Sequence, residues 1–278
     1  MRGEMRAGAL LTLAVLAVGL GTPRGGAEPR QRGQRGGRFT SQIGPNAPYD
    51  GNFRFCRIMF RNSGYGDGHG WSVDWPKADV NFTFRLSELT TTTVSRGFGG
   101  DFNHIVIRLT DPELYHCPFI VMTEPGGAYF DADESAHLRD YLLKGGFLWA
   151  DDFWGEFAWN AWVTELRKAL PSGEYPIADL PLSHPIFHML YEVREVPQIP
   201  SIGFWMYTGQ TSERGADSAV PHIRGVTGAD GRVIVLMTHN TDFGDAFERE
   251  TDDRDYFNHF ASAGYAFGIN ALLYAMTH

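Results

Sequence analysis

The chain has 278 residues, of which 43% are hydrophobic and 14% aromatic, and this apolar content excludes a mostly disordered protein. Its two cysteines exclude a small fold held together by several disulfides and a four-cysteine zinc site. The formal net charge of -9 argues against a nucleic-acid partner, because such a partner normally requires a basic face.

The first 27 residues have the organisation of a secretory signal peptide. Arg2 and Arg6 precede an uncharged apolar stretch, residues 7–21, and small residues at 25–27 follow it. This stretch is shorter than the roughly 20 residues that a membrane-spanning helix needs. We therefore expect cleavage after Ala27 and a secreted or periplasmic mature protein without a transmembrane segment, in preference to an uncleaved membrane anchor.

Residues 28–51 are predicted to form a flexible linker rich in Arg and Gly, because their first part offers no apolar side chain to bury. Residues 1–38 hold seven arginines and two glutamates, so the rest of the chain carries a net charge of -14. The predicted folded part is therefore strongly acidic.

From residue 53 onward, apolar β-rich segments alternate with helical patterns. Strands are predicted at residues 53–60, 104–109, 119–123, 147–150 and 232–237. Helices are predicted at about 74–90, 131–144, 156–170 and 256–276. The first helix would begin with Asp74 as its N-cap and Pro76 in its first turn. Strands separated by helices pair in parallel, which predicts one doubly wound α/β domain over residues 52–278, with a mostly parallel sheet and helices on both faces.

Several segments are similar to a bacterial family described as a domain of unknown function, number 4159. They are KGGFLWADD at 144–152, SHPIF at 183–187, THN at 238–240 with Asp242, Gly244, Asp245 and Glu248 after it, and GINALLYA at 268–275. The resemblance covers about residues 52–278. It implies a flavodoxin-like fold related to the class I glutamine amidotransferases, and it implies no established activity.

The turn after the predicted strand at 147–150 departs from the amidotransferase pattern. Glutamine amidotransferases carry a Cys nucleophile on a tight turn between glycines at such a position. Here the turn reads DDFWG over residues 151–155, without Cys or Ser. The sequence therefore predicts that amidotransferase chemistry is absent.

In open α/β sheets, ligands bind outside the carboxyl ends of the strands, and this rule selects a small set of candidate residues. The candidates for catalysis are Asp151, Glu124, His239 and Asp242. The candidates for ligand binding are Tyr65, Asp152, Trp154 and Asn240. No metal ligand and no cofactor is assigned. Each candidate also has a structural interpretation: the paired aspartates cap a helix, His239 and Asn240 satisfy loop backbone, and Trp154 belongs to the core.

Two functions follow from these residues, with a scaffold of an envelope complex as a third interpretation. The first is an exported protein of the cell envelope that binds an unknown small molecule or envelope protein in the strand-end crevice. The alternative is a metal-assisted hydrolase acting on a sugar or cell-envelope substrate through a carboxylate/His site. An exported protein could also oxidise Cys56 and Cys117, but their spacing does not show whether they pair.

Overall fold

A computed structural model describes residues 45–278, so the predicted signal peptide and most of the predicted linker lie outside the described residues. Nine strands occur in residues 45–278: β1 (Phe55–Ile58), β2 (Arg61–Asn62), β3 (His104–Ile107), β4 (Phe119–Thr123), β5 (Ala128–Tyr129), β6 (Phe147–Phe153), β7 (Ile177–Asp179), β8 (His222–Thr227) and β9 (Val233–His239). The α-helices of the same residues are α1 (Lys77–Leu89), α2 (Ala132–Leu143), α3 (Gly155–Ala169), α4 (Ile202–Thr208), α5 (Phe243–Glu248), α6 (Arg254–Tyr256) and α7 (Ser262–Thr277).

The main sheet has seven strands in the order β3-β1-β4-β6-β9-β8-β7. The first five run parallel, and β8 and β7 add an antiparallel edge. Taken alone, the five parallel strands have the order 2-1-3-4-5, which is the flavodoxin-like arrangement. The predicted fold class is therefore confirmed. Strands β2 and β5 form a separate antiparallel pair.

Helices cover both faces of this sheet, as predicted. One face packs against α1, α5 and α7 through side chains such as Phe82, Phe243 and Phe267. The other packs against α2 and α3 through residues such as Leu138 and Trp162. Because both faces are covered, the central strands are mostly apolar, and every residue of β6 and β9 is buried, including the polar residues at their carboxyl ends.

Two predicted helices differ in the structure. Helix α1 begins at Lys77 with Pro76 as its N-cap, whereas Asp74 adopts a left-handed conformation with φ of 62° and does not cap the helix. The predicted C-terminal helix is interrupted, because a π-helical segment, Phe257–Ala261, separates α6 from α7. The first difference is important for the site, since it frees the Asp74 carboxylate for another role.

The residues just before β1 are fixed on the domain. Asn46 exchanges two hydrogen bonds with the backbone of Val106, at 2.9 and 3.2 Å, so the ordered fold extends N-terminal to residue 52. A disulfide joins Cys56 in β1 to Cys117, which precedes β4. None of the helices in residues 45–278 is both long enough and apolar enough to span a membrane.

Candidate functional site

A cavity of about 590 Å³ lies at the carboxyl ends of the parallel strands, where the fold predicts a ligand site. Its wall is predominantly acidic. The acidic side chains that line it are Asp67, Asp74, Glu124, Asp152, Glu213, Asp242, Asp245 and Glu248, and the arginines are Arg214 and Arg249. Such a wall favours cations over anions.

Three of these carboxylates form a tight cluster. One oxygen from each of Asp74, Asp152 and Asp242 lies within 4.8 Å of the other two, and all three residues are buried. Asp74 lies in the loop before α1, Asp152 near the end of β6, and Asp242 directly after β9. The sheet therefore brings together side chains that are far apart in the sequence.

Asp152 reaches the cluster through an irregularity in β6. The register between β6 and β9 shifts between Ala150 and Phe153, and Asp152 has a φ of 59°. Such bulges redirect a side chain that regular alternation would place on the other face. The indole nitrogen of Trp154 donates to Asp152 Oδ1 at 3.0 Å and fixes the carboxylate in its new direction.

Asp242 is held by the start of α5. Its Oδ1 accepts a hydrogen bond from the backbone N–H of Asp245 at 2.7 Å, so Asp242 is the N-cap of this helix. Asp242 therefore combines a capping role with a position at the cavity. One oxygen caps α5, and the carboxylate as a whole belongs to the cluster.

Asp74 has an oxygen without a partner. In residues 45–278, no group donates a hydrogen bond to its Oδ2, although Asp74 is only 8% exposed. Gly244 lies directly against this oxygen, and a Cβ at position 244 would overlap it. A buried carboxylate oxygen that lacks a donor is costly unless a ligand satisfies it.

Arg57 positions the loop that carries Asp74. Its guanidinium donates to the carbonyl oxygens of Trp71 and Val73, at 3.2 and 3.0 Å, and to Thr123 Oγ1 at 2.6 Å. The same group binds both oxygens of Asp79 in a buried ion pair. Arg57 therefore ties β1, β4, α1 and the Asp74 loop together beneath the cavity.

Burial and mutual repulsion shift the cluster toward its protonated form. Burial raises the pKa of Asp74, Asp152 and Asp242 well above the ordinary value, and the neighbouring carboxylates raise these pKa values further. A bound cation would reverse this effect, because it stabilises the ionised carboxylates.

Asp151 is near the cluster, but hydrogen bonds to the surrounding protein occupy its carboxylate. Its Oδ1 accepts from Thr238 Oγ1 at 2.5 Å and its Oδ2 from the Gly244 N–H at 3.0 Å. Burial raises the pKa of Asp151 to about 7 despite these bonds. The side chain does not line the cavity.

Glu124 lines the cavity and anchors the glycine-rich loop, residues 64–70. Its Oε2 accepts from the backbone N–H groups of His69 and of Gly70, the latter at 2.6 Å. Asp67 of the same loop forms an ion pair at 3.2 Å with Arg214, which also lines the cavity. The loop therefore forms one wall of the site.

His239 does not meet the carboxylates. Its ring packs against Phe153 and Trp159 on the α3 side of the sheet, with ring centroids 5.1 Å apart in both cases. Nε2 donates to the Gly155 carbonyl at 3.1 Å, and Nδ1 accepts from Arg224 at 3.2 Å. Burial lowers the pKa of His239 to about 4, so the ring is neutral at pH 7.

The four predicted ligand-binding residues occupy different environments. Asp152 and Trp154 line the cavity, whereas Tyr65 is 91% exposed and does not line it. Asn240 accepts from the Gly155 N–H at 2.8 Å and donates to the Val220 carbonyl at 2.8 Å, so it joins β9 to the start of α3.

Five cavity carboxylates were absent from the predicted site: Asp67, Asp74, Glu213, Asp245 and Glu248. Asp74 precedes a helix, where a capping aspartate and a cavity aspartate look the same in sequence. Asp245 and Glu248 lie in one of the segments that resemble the family. Their place in this segment was the sequence signal that could have identified them as site residues. Asp245 Oδ2 accepts from the Ile202 N–H at 2.5 Å, and Glu248 pairs with Arg249 at 2.8 Å.

Backbone strain is concentrated at this site. The non-glycine residues with positive φ in the described part of the chain are Asp74, Glu124, Asp152 and Asn240. Three of them line the cavity, and the fourth adjoins β9. Non-glycine residues held in this conformation tend to occur at functional sites.

Fold and site together define a flavodoxin-like α/β protein with an acidic cavity at its strand ends. The family described as Domain of unknown function (DUF4159) matches residues 59–276, and the chain belongs to this family. A comparison with curated proteins finds no match. The matched region contains all three clustered aspartates.

Proposed function

We propose that this protein binds a divalent cation through Asp74, Asp152 and Asp242, and that the cation recruits an oxygen-rich ligand into the strand-end cavity. The observation that carries the proposal is the buried carboxylate of Asp74: its Oδ2 lacks a hydrogen-bond donor in residues 45–278, and the residue belongs to the cluster of three carboxylates. A cation is the partner that satisfies this oxygen and offsets the repulsion within the cluster.

The donor set indicates a hard cation. All three groups are carboxylates, which suit Ca²⁺, Mg²⁺ or Mn²⁺ better than soft metals. Two oxygens on opposite sides of a calcium ion are about 4.8 Å apart, since each lies about 2.4 Å from the ion. The observed separations are within this limit.

The cavity next to the cluster supports the second half of the proposal. Three protein carboxylates leave coordination positions open toward a space of about 590 Å³. An acidic wall on its own repels anionic ligands, and a bound cation would admit hydroxyl, carbonyl or phosphate oxygens. We therefore place the ligand between the cation, Trp154 and the loop at 64–70.

Binding is favoured over metal-assisted hydrolysis by the placement of the acid–base candidates. His239 is bonded on the other face of the sheet, and both oxygens of Asp151 are already bonded. Glu124 uses one oxygen to hold the glycine-rich loop. A hydrolase would have to take its proton carrier from another cavity residue, such as the exposed His69.

We further propose that the protein is exported to the cell envelope. The signal-peptide pattern of residues 1–27 supports this proposal. The disulfide between Cys56 and Cys117 also supports it, because disulfides persist in oxidising compartments.

Calorimetric titration of the metal-free protein with Ca²⁺, Mg²⁺ and Mn²⁺ tests the cation proposal. We expect saturable binding of at least one ion, weakened at least about 100-fold by Asp74→Asn, which removes a charged ligand and keeps the side-chain shape. Asp67→Asn is the matched control: it removes a cavity carboxylate that pairs with Arg214 and lies outside the cluster, and it should change the affinity less than about 3-fold. Absence of binding, or equal weakening by both variants, would contradict the proposal.

A further inference from the structure

A second cavity, of about 340 Å³, lies at the opposite end of the sheet. It is formed near the amino ends of β1 and β4, whereas the acidic cavity is at the carboxyl ends. Its polar lining comes from Tyr49, Asn52, Arg54, Thr91, Thr92, Thr93 and His116. No acidic side chain of residues 45–278 is part of this lining.

Arg54 is a buried cation with unused donors. The residue is 3% exposed, and its Nη1 donates to the Ala47 carbonyl at 2.6 Å. Its Nε and Nη2 have no hydrogen-bond partner in the described part of the chain. The adjacent acid, Asp50, is engaged elsewhere, with Ser95 Oγ at 2.7 Å and the Asn52 N–H at 3.0 Å. A buried guanidinium in this state needs an anionic partner.

The two unused donors form one edge of the guanidinium, and this edge is the one that binds oxyanions in pairs. Three residues further along the chain, the same edge of Arg57 binds a carboxylate. Its Nε lies 3.1 Å from one oxygen of Asp79, and its Nη2 lies 2.5 Å from the other. The edge of Arg54 thus has the donor arrangement that pairs with a carboxylate or phosphate group, and residues 45–278 supply no such partner.

We propose that the Arg54 cavity binds the oxyanion group of a ligand, a carboxylate or a phosphate, through Nε–H and Nη2–H of Arg54. The hydroxyls of Thr91, Thr92 and Thr93 offer further donors. The Tyr49 ring lies over the guanidinium, with its centroid 5.1 Å from Cζ, and covers it together with the chain around Ala47. Tyr49 is 50% exposed, so rotation of this ring opens the way to the two donors.

Titration of the full chain with acetate, succinate and inorganic phosphate tests this site, in chloride buffer at constant ionic strength with EDTA present. We expect at least one of these anions to bind and to raise the melting temperature. Binding of the organic acids alone identifies a carboxylate ligand, and binding of phosphate alone identifies a phosphate ligand. Because no divalent cation is present, the result is independent of the cation site.

Variants separate the site from general charge effects. Arg54→Lys keeps the charge and loses the paired edge, and it should weaken binding at least about 10-fold. Arg139→Gln removes an arginine of α2 that pairs with Glu174 on the surface, and it should leave binding unchanged. Tyr49→Ala keeps Arg54 intact and should bind at least as tightly as the unmodified chain. No binding of any of the three anions, or binding that survives Arg54→Lys unchanged, would overturn the proposal.

Discussion

Asp151 shows how one buried side chain links the stability of this protein to pH. Both of its oxygens are hydrogen-bonded, yet burial raises its pKa from 3.8 to about 7. Between these two values the unfolded chain releases a proton that the folded chain keeps. The free energy of unfolding therefore falls as the pH rises from about 4 to about 7, by on the order of 4 kcal/mol at most for this residue.

Asp151→Asn should remove the part of the pH dependence that Asp151 contributes, while Asp74, Asp152 and Asp242 contribute in the same sense in both proteins. His239 acts in the opposite sense. Because its pKa is about 4 in the folded protein, its contribution to the free energy of unfolding declines as the pH falls from 6.5 toward 4. The variant must therefore be compared with the unmodified chain by urea unfolding in EDTA at pH 4.5 and 7.5. From pH 4.5 to pH 7.5, we expect the free energy of unfolding of the unmodified chain to fall by about 2–4 kcal/mol relative to that of the variant. A difference in stability that does not change with pH would contradict this assignment.

Individual residues of the site differ in how far the sequence could predict them. Asp152, Trp154, Glu124 and Asp242 were predicted because each follows a strand, and strand ends share one edge of the sheet. Asp74 was missed because its left-handed backbone, and not its identity, turns the carboxylate into the cavity. His239 was assigned to the cavity, but the alternation of β9 turns its ring to the α3 face.

At the scale of elements, the glycine-rich loop depends on Glu124. A single carboxylate oxygen receives two successive backbone N–H groups of the loop, and Glu124 itself is held in a left-handed conformation at the end of β4. Glu124 therefore holds the His69–Gly70 end of this cavity wall, whereas the bond from the Asp67 N–H to the Gly126 carbonyl at 3.0 Å and the Asp67–Arg214 ion pair hold its middle.

Glu124→Ala should release the His69–Gly70 end of the loop without unfolding the domain. We expect hydrogen exchange of the His69 and Gly70 amides to accelerate at least about 10-fold, with amides of β4 unchanged. Glu124→Gln keeps an acceptor oxygen and should have a smaller effect. Continued protection of both amides in Glu124→Ala would show that other contacts hold the loop.

The elements themselves were mostly predictable because their hydrophobic patterns are strong. Strands β1, β3, β4, β6 and β9 and helices α1, α2 and α3 lie within a few residues of their predicted positions. The antiparallel edge formed by β7 and β8 was missed, since short, partly exposed strands lack a distinctive pattern. The π-helical break before α7 also left no signal in the apolar pattern.

At the scale of the whole molecule, export and oxidation should appear together. Intact-mass analysis of the protein recovered from the cell envelope should give a chain that begins at Glu28 and lacks the two hydrogens of the Cys56 and Cys117 thiols. Both results are expected because signal peptidase and disulfide formation act in the same compartment. A chain that retains residues 1–27 with two free thiols would contradict the export proposal.

Part of the acidic charge of the chain is concentrated around the strand-end cavity. Residues 39–278 carry a net charge of -14, and eight acidic side chains of this part line one cavity beside two arginines. At the opposite end of the sheet, two donors of Arg54 have no hydrogen-bond partner among residues 45–278. The two ends of the same domain thus offer sites of opposite charge preference.

The most direct test of the account is a crystal soaked in Mn²⁺, with anomalous diffraction recorded at the manganese edge. We predict an anomalous peak about 2.0–2.6 Å from carboxylate oxygens of Asp74, Asp152 and Asp242, and no such peak in Asp74→Asn. Crystals with no anomalous peak at these three aspartates, or with manganese bound only elsewhere, would contradict it.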